Sequence, residues 1–221
     1  MNYDADGIFA HSIPGRPWEP LERHLIQVSE RCSEFAGLFG AQQLGAAAGL
    51  LHDAGKLRAA FQAYIRGRNS GAGHSVCGAV IAIERYGPVL GKLIAYVIAG
   101  HHGGMPDGGN APRSLGERLA EAVSEHLLDD MAPWPDSLVL QNIPRTTTRS
   151  SSRKDLAYEL HFLVRMLFSA LVDADYLETE RFYTPRQSEV RKDGSAIALS
   201  DLAGRLDKHL GSNNHLSGSA A

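Results

Sequence analysis

With 221 residues, 43% of them hydrophobic, the chain can bury a substantial core, and it reads as one domain with a C-terminal extension. Its formal net charge of -3 argues against a protein that grips nucleic acid over a broad basic face, because that binding rests on neutralising many phosphates. Cys32 and Cys77 form no CxxC pair and give no basis for a disulfide framework or a cysteine-held zinc, so a reducing, cytoplasmic setting is expected. The start, MNYDADGIFAHSIPG, lacks the basic and apolar segments of a signal peptide, and LIAYVIAG is too short to span a bilayer, so no membrane association is expected.

Helical periodicity runs through nearly the whole chain, with no convincing alternating strand. The segment 18–40 opens after Pro17 and carries Leu21, Leu25, Val28 and Cys32 on one apolar face. A second helix, AQQLGAAAGLLHDAG, has small residues that permit close approach of a neighbour, and LRAAFQAYIRG predicts a third. After the loop RGRNSGAG come two more helices, SVCGAVIAIERYG and PVLGKLIAYVIAG, the latter opened by Pro88.

Past the loop GGMPDGGNAPRS, the segment 114–130 predicts a helix capped by Ser114, with Glu117 completing a capping box. Residues 131–152, rich in Pro, Ser, Thr and Arg, are expected to be a mobile connection. The apolar stretch 154–180 predicts a long helix crossing the core. SDLAGRLDKHLG carries one weak helical pattern, and the Ser/Gly/Ala end is expected to be disordered. The domain reading is therefore 1–185 for the helical bundle and 186–221 for the extension.

Ten histidines are the compositional oddity, since histidine is the commonest metal ligand and titrates near neutrality. His24, His52, His74, His101 and His102 sit at apolar-to-polar transitions; His161 lies on a helix without a polar neighbour pattern. Adjacent helical residues point roughly 100° apart, so His52 and Asp53 cannot share one ligand position. They can flank two ions if the Asp53 carboxylate bridges with its two oxygens. In SALVDADYL, Asp173 and Asp175 stand inside an apolar run, where a buried carboxylate needs a strong partner such as a metal.

The series His24, HDAGK at 52–56, GHS at 73–75, HHGGMPDG from 101 and DADYLETE resembles the HD-domain metal-dependent phosphohydrolases. More narrowly, it is similar to the HD nuclease domain of the CRISPR-associated helicase-nuclease of type I systems, over about residues 20–180 by motif order. The resemblance implies an all-α HD-domain helical bundle with a dinuclear metal site in its centre. One ion would be held by His24, His52, Asp53 and Asp175, with Asp173 the alternative on nearly the opposite helix face. A second would be held by Asp53, His74, His101 and His102.

A donor set of imidazole and carboxylate without thiolate suits two divalent transition-metal ions, Mn, Ni, Co or Fe, with Mg possible. A metal pair of this kind activates water and offsets charge on the leaving oxygen. Asp53 and Lys56 are the expected catalytic residues, Lys56 as a phosphate contact because an ammonium attracts phosphate oxygen. Ser75 would touch the scissile phosphate or cap the helix that begins there.

Arg58, Arg66, Arg68 and Arg113 are candidates to guide a strand, or else form a solvated face; Trp18 and Trp134 are candidates for base stacking, or else cap the core. The implied substrate is single-stranded DNA, with a helicase domain or subunit and an RNA-guided CRISPR surveillance complex as partners. The sequence contains no GxxxxGK[ST] phosphate loop, so the motor would lie elsewhere. Alternatives are an HD phosphohydrolase acting on nucleotides or cyclic nucleotides, and a non-catalytic HD module partnering a helicase. A serine hydrolase is disfavoured, because GHSVCG misses the GxSxG elbow by one position.

Overall fold

Helix dominates the computed structural model, which describes residues 7–68, 73–109, 111–139, 143, 152–186 and 199–214. The chain divides into two compact units, Met1–Tyr183 and Thr184–Ala221. The first begins with a small antiparallel hairpin, β1 (Phe9–His11) and β2 (Glu19–Pro20), in which His11 lies opposite Glu19. No strand was expected there, because segments this short carry no readable period. Their pairing also moves the start of α1 (Leu21–Gly37) past Trp18: Pro20 is extended at φ -60°, ψ 136°, and the residue before a proline is pushed out of the helical region.

The expected face of α1 is the buried one, comprising Leu21, Leu25, Val28 and Cys32, with His24 among them. Helix α2 (Gln42–Leu51) packs closely along it, as its small residues suggested. A Cβ on Gly45 would come within 2.6 Å of the Cys32 carbonyl oxygen, so the two backbones nearly touch. After a tight 3-10 turn (Ala54–Leu57) and the short α3 (Ala59–Ile65) come α4 (Ser75–Tyr86) and α5 (Lys92–Gly100). A π-helical turn, Gly87–Gly91, joins them and holds Pro88, so α5 begins later than the proline suggested.

In α6 (Leu115–Ser124) the Ser114 hydroxyl accepts from Glu117 N–H as expected, but the Glu117 carboxylate takes the Arg113 N–H rather than that of Ser114. The helix also stops short of residue 130, giving way to turns in which His126 has φ 53°. Residues 131–139 are not the loose connection their composition implied. Leu138 is buried beneath the hairpin with Ala10, Leu21, Leu25 and Leu57, Trp134 packs against that cluster, and Ala132 N–H donates to the Leu57 carbonyl. Proline and serine there mark irregular backbone, which is compatible with burial of the apolar residues between them. Residues 140–142 and 144–151 lie outside the described residues, as does the C-terminal tail from 215.

The long helix is α7 (Arg153–Tyr183), packed against α1, α2 and α5. Its first turns leave Tyr158 and Phe162 exposed, and it enters the core only from Val164, through Leu167, Ala170, Leu171 and Ala174. Each such fully buried leucine contributes roughly 1.5–3 kcal/mol. The second unit contains α8 (Leu199–Asn214), exposed at residues 200–209. Among the described residues no helix is long and apolar enough to cross a membrane.

Candidate metal centre

The centre forms where α2 breaks. His52 keeps helical backbone angles at the end of α2, and its Nδ1–H donates to the Gly49 carbonyl at 2.8 Å. A carbonyl can only accept, so the proton sits on Nδ1 and Nε2 is turned toward the centre. Asp53 leaves the helix at φ -109°, ψ 19°, and this break swings its carboxylate under the neighbouring elements. Gly55 serves a close approach rather than a helix cap: a Cβ there would run into the His74 carbonyl, and this contact seats the start of α4 on the turn. At the end of α5, His101 repeats the arrangement of His52, with Nδ1–H donating to the Ile98 carbonyl at 2.6 Å.

Asp53, 1% exposed, divides its two oxygens between two sets of side chains. Oδ2 lies 3.3 Å from His52 Nε2 and 3.5 Å from His24 Nε2, and Asp175 Oδ1 lies 3.6 and 3.5 Å from the same two nitrogens. Oδ1 lies 3.3 Å from His74 Nε2, 3.6 Å from His101 Nε2 and 4.0 Å from His102 Nε2. His24, His52, Asp53 and Asp175 form an inner group, and Asp53, His74, His101 and His102 an outer one; in each, the donor atoms lie within 4.8 Å of one another.

Asp53 Oδ1 and His101 Nε2 are buried without a hydrogen-bond partner. Unpaired buried polar atoms are costly, and a cation is the partner that nitrogen and oxygen lone pairs converging in this way fit. The model of the HD domain family matches residues 21–147. The chain belongs to the HD domain family. Membership implies a metal-dependent phosphohydrolase, and HD domains bind divalent metals, for which this His/Asp cluster is suited. A comparison with curated proteins finds no match.

Every ligand candidate in the HD domain sequence is thus brought to one place, including Asp175, which lies beyond the matched span, while Asp173 is exposed on another face of α7. Lys56 is 4% exposed; its ammonium pairs with Asp53 Oδ2 at 2.7 Å and donates to the Ala10 carbonyl at 3.3 Å. It therefore lies against the carboxylate that the two groups share. Ser75 is the first residue of α4, whose N-cap is His74, so the capping role does not fall to Ser75.

Arg58 is held by Asp130 and the Gly73 carbonyl, and Arg66 by Gln62 and the Gly7 carbonyl. Trp18 packs edge-on against Phe9, and Trp134 donates to the Leu138 carbonyl. His161 is exposed on α7 and accepts from Arg165 Nε.

Two site neighbours escaped the sequence reading, His11 and Glu19, which with His24 make a further His/Glu group. The available signal was an acid directly before a proline at a helix start, which predicts extended backbone.

Electrostatics set His24 and His52 apart from His102. Burial alone would lower the pKa of His24, but the Asp175, Asp53 and Glu19 carboxylates outweigh it and raise it to about 10. His52 is raised to about 9 in the same way by Asp53 and Asp175. Against the opposing effect of burial, Lys56 and His52 hold Asp53 well below the usual carboxylate range. Burial would raise Asp175 as well, but contacts with His24 and His52 push it far down. His102 instead falls to about 4, through burial and the neighbouring His101. In a metal-free molecule at neutral pH the inner imidazoles hold protons where a cation would sit, whereas His102 is deprotonated, with its Nε2 at hydrogen-bond distance, 2.7 Å, from His74 Nε2.

Proposed function

We propose that this HD domain is a nuclease that hydrolyses phosphodiester bonds of single-stranded DNA in CRISPR interference. It would use two divalent transition-metal ions, Mn, Ni, Co or Fe with Mg also usable. The inner ion would be held by His24, His52, Asp53 and Asp175, and the outer by Asp53, His74, His101 and His102. The observation that carries the two-ion reading is the division of the Asp53 carboxylate, with one oxygen turned to each group. When bound, such ions supply Lewis acidity that activates water and offsets charge developing on a phosphate.

The chain's own residues prepare that chemistry. The Gly49 and Ile98 carbonyls fix the rings of His52 and His101 so that their Nε2 lone pairs face inward. Lys56 balances the charge of Asp53 and keeps its carboxylate ionised in a site nearly closed to water. His102, half exposed, forms the open rim from which a phosphodiester is approached. The HHGGMPDG and DADYLETE motifs support the DNA branch, and with it a helicase domain or subunit, an RNA-guided surveillance complex and a cytoplasmic setting.

A second reading, hydrolysis of nucleotides or cyclic nucleotides, is favoured by the engagement of Arg58 and Arg66 within the fold, which removes two cations from any strand path. Incubation with circular single-stranded DNA and with a nucleotide panel separates them, with Mg, Mn, Co, Ni or chelator added in turn and Asp53→Ala as control. Metal-dependent opening of the circle by wild type alone is the expected result. Hydrolysis confined to nucleotides would replace the DNA reading with the second one.

A further inference from the structure

The buried histidines of the centre are not oriented alike. His52 and His101 stand at helix C-termini, where carbonyls of the last turn have lone pairs to spare and accept the Nδ1–H, that of Ile98 beside the His101 backbone N–H. His24 sits in the first turns of α1, whose carbonyls are committed to the helix, so its ring needs an acceptor from outside. The hairpin supplies one. Glu19 is 5% exposed, and its Oε2 lies 3.5 Å from His24 Nδ1, a buried nitrogen with no well-aligned hydrogen bond of its own. The same oxygen accepts from His11 Nδ1–H at 2.8 Å across the strand pair, and His11 Nε2 lies 3.4 Å from the Lys56 ammonium.

We propose that Glu19 is a positioning residue of the inner group: it holds the His24 ring by Nδ1 so that Nε2 is presented beside Asp53, His52 and Asp175, and His11 fixes that carboxylate. The inference rests on reading the centre as a metal site. Another use of the same cluster, a separate cation held by His11, Glu19 and His24, is disfavoured by Lys56, whose charge stands beside His11. Both Nδ1 atoms also converge on one oxygen, as expected of an acceptor that orients rings.

The test compares Glu19→Ala and Glu19→Gln with wild type in the full chain. Mn²⁺ is titrated calorimetrically into chelator-stripped protein, and the imidazole N–H signals of ¹⁵N-histidine-labelled metal-free protein are followed by NMR. Glu19→Ala is expected to weaken the tighter Mn²⁺ association about 10- to 100-fold at unchanged helical content. Glu19→Gln, whose side-chain oxygen still accepts, is expected to retain most of the affinity.

In the metal-free alanine variant the slowly exchanging His24 Nδ1–H signal should vanish while those of His52 and His101 persist. Wild-type affinity in the alanine variant, or equal loss in both variants, overturns the proposal. If wild type takes up no Mn²⁺, the metal reading fails and the NMR signal decides: its persistence in Glu19→Ala sinks the positioning role, and its loss upholds it.

Discussion

The inner and outer groups share Asp53 yet meet solvent differently. His24 and His52 of the inner group and His101 of the outer have no exposed side-chain surface, and Asp175 and His74 are alike at 19% and 17%; the difference lies in His102, 50% exposed, which opens the outer group at its rim. The inner group compensates its carboxylates with protons on His24 and His52 when no cation is present, while His102 at the outer rim stays deprotonated. The shared Asp53 carboxylate thus joins a group whose imidazoles hold protons at neutral pH to one whose rim ring, His102, is deprotonated there.

The largest effect expected is the one that removes the comparison altogether. Asp53→Ala takes an oxygen from both groups, and metal-dependent hydrolysis should fall by about 10³-fold or more, with circular dichroism still helical. Cleavage at the wild-type rate would end the shared-carboxylate account.

Single-ring variants should sharpen the contrast. His52→Ala is expected to cost roughly 100-fold in the tighter Mn²⁺ affinity and to lower the melting temperature, because it opens a cavity and leaves Asp53 and Asp175 facing one another. His102→Ala, at the exposed rim, should cost about 10-fold in the weaker association with the melting temperature unchanged. Equal effects of the two on metal binding and stability would erase the distinction between sealed and open.

Acidity provides the next test. His24 and His52 have folded pKa values of about 10 and about 9 against 6.5 unfolded, so their protonation stabilises the metal-free protein fully below pH 6.5. That contribution is lost as pH rises through 9 to 10, and the melting temperature of chelator-treated protein should decline over that window. Metal uptake must displace those protons, so Mn²⁺ affinity should rise by about tenfold per pH unit for each proton released between pH 6 and 8. A flat calorimetric profile would contradict it.

The smallest effect belongs to backbone fit. Gly55→Ala drives a methyl into the His74 carbonyl and should destabilise by about 1–3 kcal/mol, displacing His74 of the outer group while sparing inner-group affinity. Chemical denaturation alongside Mn²⁺ titration checks both halves.

The hub of the centre was legible because its chemistry is local: HDAGK and HHGG carry their polar residues at the ends of apolar helices, and a period of 3.6 shows where those helices end. Asp175 was legible as a charge out of place in an apolar run, and α7 exposes Asp173 while turning Asp175 inward. His11 and Glu19 were not legible, since they meet only by strand pairing across eight residues, in strands too short to display alternation. The packing of residues 131–139 was hidden for a related reason: Met131, Trp134 and Leu138 follow no period, and their burial depends on the hairpin and the 3-10 turn beside them.

The order of the ligands along the chain has a consequence for biosynthesis. The outer group is complete once His102 has been made, but the inner group waits for Asp175 on the last helix of the first unit. A nascent or truncated chain ending between these points carries the open group and only three quarters of the sealed one. Closure of the sealed group therefore reports that the ribosome has delivered α7, and a fragment lacking that helix is marked by an unfinished inner site.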